Sequence, residues 1–364
     1  MSGCTGSCFA PRTGGGPRGA RTVRCRATMP ARSHPPSVQA ADPPTPRPAL
    51  PDGRPLGAHL PLGDGMVRAV ERAHAIGADA LQVFVDNPTA WRRRAEPPAE
   101  LPAFRARLRD LGIWPIAVHA SYLVNLAGPA DDLYQRSIEL LAHEMAVAPD
   151  YGARFVNVHV GSHKGAGFAF GVQRVADAVA HVLDGVPEGP EAPRLVLENS
   201  AGGGDGIGLS VDELERILEA AAARGVPGER LGVCLDTAHL WGAGHDVATP
   251  EGVDALVAEV GARLGLERLV MVHLNDSKAA RGSKLDRHQH LGAGEMGDGA
   301  GLARLLTHPA LAHVAFILET PGMDEGYDAV NVARARDLAA GRPLAPLPPE
   351  ALELRGARAR TPAA

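Results

Sequence analysis

Eight short apolar runs recur along the chain, separated by stretches of helical pattern, and this alternation constrains the fold more than any other feature. The runs are RPLGAHL (54–60), LQVFV (81–85), PIAVHA (115–120), RFVNVHV (154–160), RLVLEN (194–199), LGVCLD (231–236), RLVMVHL (268–274) and VAFILET (314–320). They are largely continuous rather than alternating in polarity, as strands covered on both faces must be. Between them lie amphipathic segments such as DDLYQRSIELLAHEMAVA (131–148) and VDELERILEAAAARG (211–225). Strand and helix in strict succession make a parallel sheet with helices outside it. Eight such units predict an α/β fold, a (β/α)8 TIM barrel over residues 54–340, with an open doubly wound sheet as the competing arrangement. Aromatic residues are only 4% of the chain, so Ala, Val and Leu must fill the core.

The flanks have a different composition. Residues 1–50 hold seven Arg and a single acid, Asp42, among many Pro, Gly and Ser. Such a segment buries too little apolar surface to offset its ordering entropy, which predicts a disordered extension. It has no apolar run suited to a secretory signal; an organellar transit peptide, or a true start at Met29 or later, are the alternatives. Residues 341–364 are expected to form a loosely ordered tail. Mean hydropathy is −0.08, and no apolar run reaches the length of a membrane span. Cysteine is sparse: Cys4, Cys8 and Cys25 lie in the N-terminal stretch and Cys234 in an apolar run. This gives no disulfide framework and suits a reducing compartment, the cytoplasm. A net charge of −5 argues, taken alone, against nucleic acid, although bound cations would invert the local field.

Polar residues close nearly every strand. His119, His159, Glu198, Asp236, His273 and Glu319 follow one another at intervals of 40, 39, 38, 37 and 46 residues, close to one strand–helix unit each. In a barrel these positions converge on the face where active sites form. His239 lies three residues after Asp236, so both can face inward around a strand-to-helix turn. Asp286 and His288 are two apart, so both can point the same way in an extended loop. The nine together, five imidazoles and four carboxylates, suggest two or three divalent ions. Mixed nitrogen and oxygen ligation suits zinc and tolerates manganese or iron. Taken singly, a core histidine or a helix N-cap carboxylate is the commoner finding; recurrence at strand-end spacing is what favours ligation. His74, His143, His181, His308 and His313 fall in helices or their flanks and read as surface or packing residues. His59 reads as a neighbour of the site, and Cys234 as packing.

With these residues in view, the chain resembles the endonuclease IV family of apurinic/apyrimidinic endonucleases. The resemblance rests on VHASYLVNLA (118–127), VNVHVGSH (156–163), LENSAGGG (197–204), VCLDTAHLWGAGHD (233–246), HLNDSKAARGSKLDRHQHLGAGEMG (273–297) and ILETP (317–321). It implies a TIM barrel that uses three zinc ions to cut the DNA backbone 5′ to an abasic site, leaving a 3′-hydroxyl and a 5′-deoxyribose phosphate. His119, His159 and Glu198 would hold one ion. Glu198 would bridge to a second, completed by Asp236, His273 and Glu319, while His239, Asp286 and His288 would hold the third. The ions would activate a water, so no side-chain nucleophile is needed.

Tyr122 and Leu123 would enter the minor groove, Asn87 and Trp91 would lie in a loop that meets DNA, and Lys278, Lys284 and Arg287 would contact phosphates. Thr89 stands where the family often has an arginine, leaving Arg92, Arg93 and Arg94 as candidates for that charge. Gly203 and Lys284 replace residues often seen as Gln and Arg. Double-stranded DNA with abasic sites is the implied partner, and a monomer the implied state. Two rival readings remain. A xylose-isomerase-like sugar isomerase or epimerase would use Glu198, Asp236, His273 and Glu319 but has no need of Asp286 and His288. A non-enzymatic DNA-binding module would need no full ligand set.

Overall fold

A computed structural model describes residues 49–189, 191–322 and 325–353. Eight parallel strands close into a barrel: β1 (Leu56–His59), β2 (Ala80–Val83), β3 (Ile116–His119), β4 (Phe155–His159), β5 (Arg194–Glu198), β6 (Leu231–Asp236), β7 (Leu269–His273) and, last in the chain, β10 (Ala315–Leu318). Each strand pairs with its sequence neighbours, and β10 returns to β1 with Leu56 opposite Phe316. At Gly57 in β1 an added methyl group would collide with the Ala80 carbonyl, so this close strand approach requires glycine. Between β7 and β10 a long loop folds into a two-stranded antiparallel ribbon, β8 (Asp276–Ser277) and β9 (His288–Gln289).

The helices α1 (Met66–Ile76), α2 (Leu101–Asp110), α3 (Asp131–Val147), α4 (Phe168–Asp184), α5 (Val211–Ala222), α6 (Thr237–Ala243), α7 (Pro250–Arg263), α8 (Ala300–Thr307) and α9 (Tyr327–Ala339) connect the strands or follow the last one. A short α10 (Pro349–Glu353) ends the described chain. Local chemistry fixes where helices begin. Ser210 caps α5 by accepting from Glu213 N, while the Glu213 carboxylate accepts from Gly208 N and Leu209 N. Among the described residues no helix is long and apolar enough to cross a membrane.

The core lies in two shells. The larger is the aliphatic layer between strands and helices, built mainly from Val, Leu, Ile and Ala. The smaller fills the barrel itself with Ala80, Ala117, Phe155, Val196, Cys234, Met271 and Ile317. Because side chains on a strand repeat their direction every second residue, the next inward layer follows by counting two: Gln82, His119, Asn157, Glu198, Asp236, His273 and Glu319. His159 comes one further inward position along β4. The barrel floor is apolar and the layer above it is polar.

Candidate metal centre

The nine ladder residues meet at the C-terminal mouth of the barrel. Glu198 is fully buried at the middle. Its Oε2 lies 3.3 Å from His159 Nε2 and 3.7 Å from His119 Nε2; its Oε1 lies 3.2 Å from His239 Nδ1 and 3.4 Å from His273 Nδ1. His273 Nδ1 also lies 3.3 Å from Glu319 and 3.9 Å from Asp236. Asp286 reaches in from the loop, 3.3 Å from His239 Nε2 and 3.1 Å from His288 Nε2. The ligand atoms form compact groups: His119, His159 and Glu198; Glu198, Cys234 and His273; Asp236, His273 and Glu319; Asp236, His239 and His288. Asp236 therefore stands in two groups, a sharing that the sequence spacing did not suggest.

Neighbouring groups fix which imidazole nitrogen faces the centre. His119 Nδ1 donates to Ala120 O (2.7 Å), His239 Nδ1 to Asn199 O (2.9 Å) and His288 Nδ1 to Glu319 O (2.9 Å). A carbonyl only accepts, so Nδ1 carries a proton and Nε2 is the nitrogen turned toward the centre. In His273 the order is reversed: Nε2 donates to Gln82 Oε1 (3.1 Å), leaving Nδ1 facing the carboxylates. The carboxylates are oriented in the same way. Asn157 donates to Glu198 (2.5 Å), Asn275 to Asp236 (2.7 Å) and Gln82 to Glu319 (2.6 Å). Asp236 Oδ1 caps α6 by accepting from His239 N (2.9 Å), which ties two ligands to one turn. His59 lies beside the centre, 3.1 Å from Glu319.

The electrostatics of the centre favour positive charge among these groups. Burial opposes ionisation of Glu198, yet the His159 and His273 imidazoles hold its carboxyl well below the usual range. Desolvation also opposes ionisation of Asp286, whose side chain is half exposed, and His239 and His288 outweigh it and hold the carboxyl well below its usual range. Burial lowers His288 as well, but Asp286 and Asp236 raise it to about 10. His119 goes the other way, to about 4, chiefly through burial. Glu198 Oε1, His273 Nδ1 and His288 Nε2 are buried and have no hydrogen-bond partner among the described residues. Buried polar atoms without partners are costly, and this nitrogen and oxygen donor set fits divalent ions.

Of the remaining candidates, Tyr122 lies at the same mouth. Tyr122, 60% exposed, stands against Phe84 and His119, and burial of part of its ring raises its phenol. Leu123 follows it, with its N–H on Ser121 Oγ. Tyr122 N donates to Pro88 O, which brings the loop of Asn87 alongside; Asn87 Oδ1 accepts from the N–H and the hydroxyl of Thr89. Lys284 and Arg287 are exposed on the loop after β7, where Lys278 N donates to Arg287 O. Of the three arginines near Thr89, two are committed elsewhere: Arg93 to Glu139 and Arg94 to Asp86. Arg92 is exposed and carries no such pairing among the described residues. Cys234 lines the barrel interior with its sulfur within 4.8 Å of ligand atoms of Glu198 and His273, and burial pushes its thiol up to about 12. A cavity of about 200 Å³ opens beside the centre, lined in part by His119, Tyr122, His159, Ser162, Lys164 and Gly203. Sequence reasoning missed Gln82, Asn157, Asn199 and Asn275. Counting two along each strand from the interior layer would have found the first two.

Fold and site together define a xylose-isomerase-like TIM barrel, and the family model of that description matches residues 70–342. Within this class the nearer likenesses are narrower. "Probable endonuclease 4" of Methanoculleus marisnigri is 38% identical over 284 residues, covering 78% of this chain and 98% of that protein. The Halothermothrix orenii protein of the same name is 37% identical, covering 77% and 99%. The crystal structure of endonuclease IV from Thermus thermophilus superposes with a TM-score of 0.68 at 38% identity, covering 79% of this chain and 99% of that one. The chain belongs to the endonuclease IV family. A D-tagatose 3-epimerase-like protein, at 14% identity and a TM-score of 0.56, shares the fold alone.

Proposed function

We propose that this chain is a metal-dependent endonuclease of DNA base-excision repair that hydrolyses the phosphodiester 5′ to an abasic site. The products would be a 3′-hydroxyl and a 5′-deoxyribose phosphate. The observation that carries the reading is the meeting of nine ligands on one face, joined through Glu198 and Asp236. Three zinc ions would be held, with manganese or iron as alternatives: one by His119, His159 and Glu198, one by Glu198, Asp236, His273 and Glu319, and one by His239, Asp286 and His288. When bound, divalent ions of this kind lower the pKa of a coordinated water and offset charge developing on a phosphate.

The chain's own residues supply the rest. Glu198 bridges two groups and sets their separation. Asn157, Asn275 and Gln82 hold the carboxylates in place. Tyr122 and Leu123 meet the minor groove at the lesion and Asn87 lies beside them. Lys278, Lys284 and Arg287 neutralise backbone phosphates. An unpaired sugar costs less to extrude than a paired nucleotide, and the cavity beside His119 and His159 gives it room. The substrate is double-stranded DNA, the working unit a monomer and the compartment the cytoplasm. The isomerase reading has no use for Asp286 and His288, which lie within reach of His239 in the same centre.

The test is a duplex carrying one abasic analogue, incubated without added magnesium, with and without a zinc chelator. Incision 5′ to the lesion with a polymerase-extendable 3′ end is expected, lost after prolonged chelation, with three metal ions per chain by elemental analysis. An end that a polymerase cannot extend, or one ion per chain in an active protein, would sink the reading.

A further inference from the structure

The loop that carries Asp286 and His288 is long, and its base is held by the buried Asp276 carboxylate. The Asp276 carboxylate accepts from Ser277 N, Gly294 N and Met296 N, and the β8–β9 ribbon pairs Ser277 with His288. Its outer side is held by a part of the chain that lies beyond the family match, which stops at residue 342.

His290, two residues after His288, is fully buried. Its Nε2 lies 3.0 Å from Ala351 O, so Nε2 carries the proton, and Nδ1 accepts from Asn331 Nδ2 at 2.8 Å. Asn331 in α9 is fully buried too, and its Oδ1 accepts from Leu291 N at 3.1 Å. Arg334, one turn further on, donates from Nε to Leu291 O and from Nη1 to Ala345 O, both at 2.6 Å. Leu344 lies against Gly292, where an added methyl would collide with it, and Ala351 of α10 is fully buried. A buried chain of hydrogen bonds thus joins three elements: the ligand-bearing loop, α9 and the segment 344–353. Buried polar groups in such a chain are costly to leave unpaired, so the chain holds together or opens together.

We propose that residues 344–353 act as a strap that positions the loop of Asp286 and His288, with His290 as the positioning residue that couples them. Docking of the strap then sets how well the third ion is held. This rests on the ligand assignment proposed above. It goes beyond that assignment by giving the C-terminal segment a part in the site.

The test uses the full chain with Leu344→Asp and Ala351→Asp together, which place charge on the docked face and leave every barrel residue unchanged. Leu344→Ala serves as the milder variant should the double one fail to fold, and Leu344→Met as the conservative control. Limited trypsin digestion in chelator reads the order of the loop at Lys284 and Arg287 without any metal. Cleavage there should rise about tenfold in the strap variants, as expected for weakened local order, and return to the parent level with Leu344→Met. With zinc supplied, metal content should fall from three ions per chain toward two. kcat should fall while KM for the abasic duplex stays near that of the parent protein. Unchanged trypsin sensitivity and zinc content in a folded, strap-disrupted variant would overturn the proposal. If the parent protein neither binds three ions nor cuts the duplex, the functional reading fails instead, and the digestion in chelator still decides whether the strap orders the loop.

Discussion

Glu144 of α3 is a carboxyl group buried to 3% exposure, with Oε1 accepting from Ser121 N at 3.0 Å and Oε2 without a partner among the described residues. Burial pushes it up to about 8, the Ser121 hydrogen bond opposes this, and Asp86 adds to the rise. Ser121 opens the loop of Tyr122 and Leu123, so this group sits under proposed DNA contacts. From its ordinary value of 4.5 up to about 8, the folded chain keeps a proton that the unfolded chain has lost. Stability from this group therefore falls as pH rises through that window and levels off above it. Glu144→Gln keeps the acceptor for Ser121 and removes the titration. Its melting temperature should match the parent near pH 4.5 and exceed it at pH 8, by an amount worth at most a few kcal/mol at about 1.4 per pKa unit. Parallel melting curves across that range would show that Glu144 is ionised in the fold at all of them. The residue scale also shows what a sequence can reveal. The nine ladder residues stood out because His, Asp and Glu at strand ends are chemically conspicuous. Gln82, Asn157 and Asn275 did not, because a neutral amide orienting a carboxylate reads like any polar residue until its partner is in place.

At the scale of elements, the strand-and-helix alternation was legible because both faces of each strand are covered, which makes the apolar runs continuous. Less legible was the stretch between β7 and α8. Its ribbon has two residues in each strand, too short for any periodicity, and its register depends on Asp276 accepting backbone N–H groups from residues 18 to 20 positions away. Arg92, Arg93 and Arg94 were equivalent candidates in the sequence; only the fold shows Arg93 and Arg94 taken by Glu139 and Asp86. The β7–α8 loop also separates the two enzymatic readings. Changing Asp286 and His288 together to Ala should remove one ion and leave the groups around Glu198 and Asp236 able to hold two. Loss of a well-placed electrostatic group typically costs about 10²–10³ in rate, so kcat should fall at least that far with KM little changed. The fold should persist, since the Asp286 side chain is half exposed and the barrel strands do not depend on it. Full incision rate with full metal content in the double variant would remove the third ion from the mechanism.

For the whole molecule the question is how an acidic chain engages DNA. Residues 1–50 are formally +6, which leaves −11 for the remainder of a chain whose total is −5. The centre concentrates four carboxylates at the barrel mouth, so bound divalent ions would reverse the sign of the field where a phosphate must enter. Lys164 lines the cavity beside the centre, and Lys284 and Arg287 are exposed on the loop that carries Asp286, so basic side chains stand near the centre of an acidic chain. Residues 1–48 lie outside the described structure, so their expected disorder is a statement about composition. Their contribution can still be argued from charge and from coverage. The Methanoculleus and Halothermothrix relatives are matched over 98–99% of their own length by 77–78% of this chain. Those relatives have almost no sequence left to match the rest of this chain. Deleting residues 1–48 should leave incision at saturating substrate unchanged. An arginine-rich arm adds contacts to phosphates whatever the base sequence, and each contact contributes about −0.9 to the slope of log affinity against log salt. The deletion should flatten that slope by about one or more and weaken binding mainly at low salt, as fluorescence anisotropy with duplex DNA across a salt series would read. Loss of incision at saturation would place the arm inside the active site, and an unchanged slope would mean that its arginines never reach the DNA.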